Sequence, residues 1–265
     1  GGVGKSTVTA NLSATLAMRG NRVTILDQDL DGSSIPKMFD VMDQRMKMSE
    51  EGLLPVDGPL GIQVVATANL PKSEEGLVWF HDMRRNASEE FICHTLYGER
   101  DFLVVDLPPG TSSDNVTVIQ LLSGADGYVI VTAPSGISQV TARKALLLAR
   151  KGGMRILGVV ENMSGYICEE CGEPDDSLPV GGGLALASEQ DVPFLGRVPL
   201  DPKLAKSCDS GVPLVQAFAS SGTARMMDAI VDRVLAQLGD SRQRTFSESE
   251  LLAPDRPADG PARRG

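Results

Sequence analysis

The sequence predicts an open α/β fold: a doubly wound, mostly parallel sheet with helices on both faces. The first seven residues form a glycine-rich loop that leads directly into a helical pattern. Short apolar runs then alternate with helical patterns, which is typical of strand–helix–strand units. Two of these runs end in aspartate, at the sheet edge where open α/β proteins bind ligands. No strand precedes the loop, so we expect the first strand of the sheet to be missing from this chain.

Residues 1–7, with the sequence GGVGKST, predict the end of a phosphate-binding loop. Glycine lets backbone N–H groups approach an anion closely, and the helix predicted over 5–19 directs its positive end to the same point. We expect Lys5 to reach the β- and γ-phosphates, the Ser6 hydroxyl to bind Mg²⁺, and Thr7 to hold the α-phosphate. The backbone positions expected around the nucleotide are Gly1, Gly2, Val3 and Gly4. The alternative is a glycine-rich cap on an ordinary helix.

Carboxylates follow the first apolar strand, predicted over 23–27. Asp27, Asp29 and Asp31 stand at its carboxyl end, where one of them is well placed to orient or activate water near a γ-phosphate. The alternative is an acidic, solvated turn.

A second strand, predicted over 101–106, ends in Asp106 and is followed by Leu-Pro-Pro-Gly. An aspartate in this position is typical of a Walker B residue, which hydrogen-bonds the water shell of Mg²⁺. We expect the N–H of Gly110, in the rigid turn beyond it, to sense the γ-phosphate. An ordinary strand and turn is the alternative.

The other predicted elements follow from hydrophobic periodicity. We predict strands over 62–67, 127–134, 156–163 and 192–200, helices over 34–48, 138–151 and 220–238, and a loop over 70–85. Asn162, near the end of its strand, is suited to hydrogen-bond the edge of a purine base. Pro199 and Asp201 begin a turn that we expect to close over the same base.

Composition limits the partners of the chain. Its 265 residues are 42% hydrophobic, with a formal net charge of −10 and a pI near 4.8, which argues against nucleic acid and anionic membranes. No apolar run is long enough to span a bilayer. The four cysteines form no regular framework, so we expect a reducing, cytoplasmic compartment. Residues 1–238 are predicted to form one domain, and the Ser-, Pro- and Arg-rich 239–265 a disordered tail.

Cys168 and Cys171 have the Cys-x-x-Cys spacing that lets two thiolates bind one metal centre. One pair supplies half of a tetrahedral or cubane site, which a second subunit could complete. A redox dithiol and a pair without chemistry are the alternatives. The two intervening glutamates raise thiol pKa values, which argues against a nucleophilic redox pair. Cys93 and Cys208 are predicted to be inert.

Four stretches, taken in order, resemble the Mrp/ApbC family. They are GGVGKST at 1–7, DLPPGT at 106–111, ENMSGYICEECG at 161–172 and VPFLGRVPLDP at 192–202. Members of this family are ATP-dependent iron–sulfur cluster carriers among the deviant-Walker, MinD-like P-loop ATPases. The resemblance covers about residues 1–238, and the Asn-Met-Ser-x-x-x-Cys-x-x-Cys-Gly run is specific to this family among MinD relatives.

The resemblance implies a homodimer, or a heterodimer with a paralogue, that bridges a [4Fe-4S] cluster through Cys168 and Cys171 of each chain. It also implies that ATP, bound with Mg²⁺ and hydrolysed slowly, controls loading or release of the cluster to apo iron–sulfur proteins. Matching residues are Lys5, Ser6 and Thr7 for phosphate and Mg²⁺, Asp27, Asp29 and Asp106 for catalysis, and Asn162 for the base. Two features depart from the pattern: the family's signature lysine would precede Gly1, and Glu169 replaces a frequent proline.

Two other functions use similar residues. A MinD/ParA-type positioning ATPase would bind DNA or membrane through a basic patch, which the acidic composition and the cysteine pair argue against. A non-catalytic scaffold would instead hold Zn²⁺ between two copies through the same cysteines.

Overall fold

The computed structural model describes residues 2–70, 81–168, 174–175 and 178–242. Their strands are β1 (Val23–Asp27), β2 (Lys47–Met48), β3 (Leu53–Leu54), β4 (Val56–Asp57), β5 (Gln63–Val65), β6 (Phe102–Asp106), β7 (Tyr128–Thr132), β8 (Ile156–Glu161), β9 (Tyr166–Ile167), β10 (Pro174–Asp175) and β11 (Phe194–Arg197). Their helices are α1 (Lys5–Met18), α2 (Ile35–Met38), α3 (His81–Cys93), α4 (Ser113–Leu121), α5 (Gly136–Lys151), α6 (Gly182–Glu189), α7 (Pro202–Ser210), α8 (Leu214–Ala217) and α9 (Gly222–Arg242).

Two sheets carry the fold. The first has the order β4-β5-β1-β6 and the second β11-β8-β7, and every pair in them is parallel except β4 with β5. Parallel strands require crossover connections, which the intervening helices supply. The predicted mostly parallel α/β class is therefore confirmed.

Helices cover both faces of the second sheet, as adjacent residues of β8 demonstrate. Val159 packs with Leu146 of α5 and Leu186 of α6, whereas Val160 belongs to the larger core formed with α1 and α9. Successive side chains of a strand point to opposite faces, so a strand that is apolar at both positions must be covered on both sides. The doubly wound arrangement follows from this pattern.

A cavity of about 520 Å³ separates the two sheets. Residues of β6 and β7 line it, and Leu12 and Leu16 of α1 lie among its apolar residues. Among the described strands, β6 pairs with β1 and β7 with β8, and these two edges do not pair with each other. The cavity thus lies beside α1 and is lined by one edge strand of each sheet.

The helix predicted over 34–48 is wrong for most of its length. Only α2 forms, and Asp40 then takes a positive φ of 53°. Beyond it, the Asn69 side-chain amide donates to the carbonyls of Val41 (2.7 Å) and Gln44 (3.0 Å), and the N–H of Met46 donates to Asn69 O (2.8 Å). Because Asn69 satisfies these backbone groups, the segment needs no helical hydrogen bonds there, and within it Val41 and Met46 are buried.

Several predicted boundaries also change. The loop predicted over 70–85 includes the start of α3 at His81, and its residues 71–80 lie outside the described part. Asp201 begins α7 as its N-cap instead of an open turn. Helix α9 extends to Arg242, past the predicted domain boundary at 238. The helix that follows the phosphate loop and the strands ending in Asp27 and Asp106 are confirmed.

Gly158 tests the packing of the second sheet. Its φ is +148°, and an added Cβ would lie 2.4 Å from the Pro193 carbonyl oxygen. We expect Gly158→Ala to lower the free energy of unfolding by about 1–3 kcal/mol, because strand β8 would have to shift. Urea unfolding measures this, with Gly124→Ala as the control, since a Cβ there meets nothing within 4 Å. Equal stability of the two variants would contradict the close packing.

Candidate functional site: a nucleotide loop beside a cysteine hairpin

The phosphate loop is shaped by two glycines with left-handed backbone. Gly2 has φ 86° and Gly4, the N-cap of α1, has φ 79°. No side chain caps α1, so the first N–H groups of the helix remain directed at the loop. An N-terminus with these free donors and a positive dipole end is suited to bind phosphate. The side chains of Lys5, Ser6 and Thr7 are all half-buried there.

Asp106 lies beside this loop because β6 runs parallel to β1. The register pairs Asp106 with Asp27, the last residue of each strand. Thr9 of α1 donates its hydroxyl to Asp106 Oδ1 (3.1 Å), while the buried Oδ2 has no hydrogen-bond partner in the described residues. Burial raises the pKa of Asp106, which the Ser6 hydroxyl and the Lys5 ammonium oppose. An unpartnered carboxylate oxygen beside Ser6 fits the water shell of a magnesium ion.

Asp27 is fully buried and its carboxylate organises the loop that follows it. Oδ2 accepts hydrogen bonds from the Ser33 hydroxyl (2.9 Å), Ser34 N (3.0 Å) and Ile35 N (3.2 Å). Oδ1 accepts from Asp29 N (3.0 Å). Burial, and then the charge of Asp106, raise the pKa of Asp27 to about 7. Asp27 thus fixes where the half-buried Asp29 stands.

A second loop, residues 107–112, carries Gly110. Gly110 is exposed with φ 79°, and its carbonyl accepts a hydrogen bond from Asn115 Nδ2 (3.1 Å). Arg84 of α3 joins this region to the Asp27 loop, because it pairs with both Asp31 (2.5 Å) and Asp114 (3.1 Å). Arg84 therefore joins the loop after β1 to the first turn of α4, which directly follows the Gly110 loop.

Asn162 links β8 to the phosphate loop. Its Nδ2 donates to the carbonyl of Val3 (2.9 Å), and a Cβ on Gly4 would lie 2.2 Å from that nitrogen. Its Oδ1 is buried and has no partner in the described residues. The sequence assigned Asn162 to the base, and the structure places its amide against the loop backbone.

Asp201 is occupied by contacts within the protein. Its Oδ1 accepts from Lys203 N (2.9 Å) and its Oδ2 from the Thr223 hydroxyl (2.6 Å), so it joins α7 to α9. Pro199 is buried just before it. The base contact expected of these residues stays a prediction.

The cysteine pair falls, in sequence, between the antiparallel strands β9 and β10. Cys168 directly follows β9 and is half-buried, whereas Cys171 lies outside the described residues. Leu200 N donates to Gly165 O (2.9 Å) and Ser164 N to Val198 O (2.9 Å), which fixes the start of this hairpin on the chain that follows β11. Within the described part, no group of three or more His, Cys, Asp or Glu side chains is arranged to hold a metal.

Two residues of the nucleotide site, Thr9 and Arg84, were not predicted from the sequence, and neither was Glu161, a buried carboxylate outside that site. Thr9 lies two positions beyond Thr7 in the same predicted helix, and this closeness to the loop was the signal in the sequence that could have placed it in the site. Arg84 was placed in a loop, and its ion pairs join segments that are distant in sequence. Glu161 precedes Asn162 in an apolar run, where a buried carboxylate is rare unless it is hydrogen-bonded.

A glycine-shaped helix N-terminus facing two strand-end aspartates, on a doubly wound sheet, defines a P-loop NTPase fold. A family model described as "NUBPL iron-transfer P-loop NTPase" matches residues 1–235. The chain belongs to this family.

Its relatives agree with this assignment. The chain is 39% identical, over 236 residues, to an iron–sulfur cluster carrier protein of Saccharolobus solfataricus, which spans 89% of this chain and 80% of that protein. It is 38% identical to the chicken cytosolic Fe-S cluster assembly factor NUBP2, covering 89% and 88% of the two chains.

Solved structures match as well. A nucleotide-binding protein of Archaeoglobus fulgidus, in complex with ADP, superposes with a TM-score of 0.70 at 36% identity, covering 80% of this chain and 82% of that one. The cell division ATPase MinD of Pyrococcus furiosus superposes with a TM-score of 0.65 at 23% identity, covering 89% and 94%, and at that identity shares the fold alone. Among the described helices, none is both long and apolar enough to cross a bilayer.

The Asn162 contact can be tested by truncation. We expect Asn162→Ala to weaken ADP binding about tenfold, because the phosphate loop loses its hydrogen bond at Val3. Isothermal titration with Mg-ADP measures the affinity. Asn86→Ala, at an exposed position of α3, is the matched control. Unchanged affinity in Asn162→Ala would mean that this amide does not support the loop.

Proposed function

We propose that this chain is an ATP-dependent iron–sulfur cluster carrier, which holds a [4Fe-4S] cluster between two copies and transfers it to apo-proteins. The observation that carries the proposal is the hydrogen bond from the Asn162 side chain to the carbonyl of Val3. Asn162 stands six residues before Cys168 in the sequence. This hydrogen bond joins the nucleotide loop to the end of the strand that leads to the cysteine pair. Membership of the iron-transfer family supports the cargo.

The nucleotide half of the function uses the carboxyl ends of β1 and β6. Lys5 and the N–H groups at the start of α1 bind the phosphates of ATP, and Ser6 and Asp106 hold Mg²⁺. Mg²⁺ neutralises the phosphate charge that develops during hydrolysis. Asp29, positioned by the carboxylate of Asp27, orients the attacking water. The ADP complex of the Archaeoglobus fulgidus relative supports a nucleotide at this site.

The cargo half uses the cysteine pair. One chain offers two thiolates, Cys168 and Cys171, and a cubane cluster takes four, so two copies or a copy and a paralogue complete the site. ATP binding and hydrolysis then change the contact between the two subunits, and the cluster passes to recipient apo-proteins. The name of the chicken relative supports a cytosolic location.

Removal of one thiol tests the cargo site. We expect Cys168→Ala to lose the cluster while it keeps ATP binding, because Cys168 follows β9, whereas the residues expected to bind ATP lie before and in α1 and at the ends of β1 and β6. Anaerobic reconstitution followed by iron and sulfide analysis measures loading, with about four irons expected per parental dimer. Cys93→Ala, an exposed cysteine on α3, is the matched control.

Two outcomes would contradict the proposal. Iron and sulfide at parental levels in Cys168→Ala would remove that residue from the ligand set. Colourless parental protein that retains zinc under the same conditions would favour a zinc-bridged scaffold instead of a carrier.

Lys5→Ala tests the nucleotide site independently of the cysteine pair. We expect it to lose ATP binding and cluster delivery but to load iron and sulfide normally, because Lys5 lies on α1 and not on the hairpin. Activation of an apo-protein that requires a [4Fe-4S] cluster measures delivery. If delivery continued at the parental rate, ATP would have no part in transfer.

A further inference from the structure

Glu161, the last residue of β8, carries a carboxylate that the nucleotide chemistry does not use. Its side chain is fully buried. Among the described residues it has no ion-pair partner, and its oxygens accept hydrogen bonds only from neutral groups. A buried carboxylate is costly unless it is well hydrogen-bonded, so the positions of these donors are informative.

The donors lie at both ends of the cysteine segment, which we define as residues 162–181. Oε1 accepts from the Ser164 hydroxyl near the start of the segment and from Gly181 N at its end (2.8 Å). Oε2 accepts from Gly183 N in the first turn of α6. One carboxylate therefore joins the two ends of the segment that carries Cys168.

The start of α6 is built to receive this carboxylate. Gly181 is the N-cap of α6, and no side chain of its own caps the helix. Glu161 supplies the missing acceptor from another element, at the helix end where negative charge is stabilised. A Cβ on Gly183 would lie 2.7 Å from Cβ of Glu161, so glycine is needed for the close approach.

We call the contacts of Glu161 with Ser164, Gly181 and Gly183 the clamp. The next residue, Asn162, connects this clamp to the phosphate loop. Asn162 donates from Nδ2 to Val3 O and from its backbone N–H to Thr132 O (2.8 Å). Adjacent residues at the end of a strand point to opposite faces. The pair Glu161–Asn162 thus holds the cysteine segment on one face of the sheet and the phosphate loop on the other.

We propose that Glu161 is a positioning residue for Cys168 and that it transmits nucleotide binding from the phosphate loop to the cysteine segment. Nucleotide that draws the loop backbone around its phosphates shifts Val3 and with it Asn162. Glu161, one residue away in the same strand, carries the shift to Ser164 and Gly181. The inference deepens the proposed function and rests on it for its biological role, but its test needs no cluster.

The test is the alkylation rate of Cys168 by iodoacetamide in the cluster-free protein, with and without Mg-ADP. Peptide mass spectrometry follows each cysteine separately, so Cys93, exposed on α3, is an internal reference in the same molecule. We expect Mg-ADP to change the Cys168 rate by about fivefold or more in the parent and to leave Cys93 unaffected. A parental Cys168 rate that ignores Mg-ADP would overturn the inference.

The deciding variant is Glu161→Gln, which keeps the shape of the side chain but replaces one acceptor by a donor that faces backbone N–H groups. We expect the nucleotide effect on Cys168 to disappear while Mg-ADP affinity persists. Glu189→Gln, at an exposed glutamate of α6, is the matched control and should keep the effect. An undiminished effect in Glu161→Gln would exclude the clamp.

Ser164→Ala covers the case in which Glu161→Gln does not fold, since it removes a single contact of the clamp. We expect it to reduce the nucleotide effect partly, and a full effect in this variant would contradict the inference. The proposed function fails in a different assay: parental protein that binds no iron and sulfide, yet still shows the nucleotide effect on Cys168, would refute the carrier and leave the coupling intact.

Discussion

Parallel pairing of β1 with β6 sets Asp27 and Asp106 side by side at the carboxyl edge of the first sheet. Burial, and then the charge of Asp106, make ionisation of Asp27 costly, and the protein offsets such costs with donors directed at both carboxylates. Asp27 receives donors from its own loop and Asp106 receives Thr9 from α1. This pairing sets the relative positions of three loops: the phosphate loop, the loop that carries Asp29 and the loop that carries Gly110.

In the described part of the chain, three buried carboxylates have different roles because their hydrogen-bond donors differ. The donors of Asp27 are consecutive in sequence, so it shapes one loop. Asp106 keeps one oxygen without a partner in the described residues, which suits it to the water shell of a cation. Glu161 takes donors from Ser164 and Gly181, so it joins the two ends of the cysteine segment. Position at a strand end is common to all three, and hydrogen-bond geometry separates them.

Much of the site could be predicted because its signals are local. A glycine loop before a helix, and an apolar run ending in aspartate, depend on neighbours within a few residues, and both patterns are confirmed at Gly4 and Asp106. The helix expected over 34–48 failed because Asn69, distant in sequence, satisfies its backbone groups. Arg84 was missed for the same reason, since its partners Asp31 and Asp114 come from two other segments.

By itself the sequence determined the α/β class, the phosphate loop and the strand-end aspartates, because hydrophobic period and glycine content act over short distances. It also determined the Cys-x-x-Cys spacing and the family resemblance that goes with it. Only the tertiary structure decided that Asn162 contacts Val3, that Asp27 shapes a loop, and that Glu161 joins the ends of the cysteine segment. Those contacts join residues that strand order brings together, and strand order is fixed by how the helices pack on the two sheets.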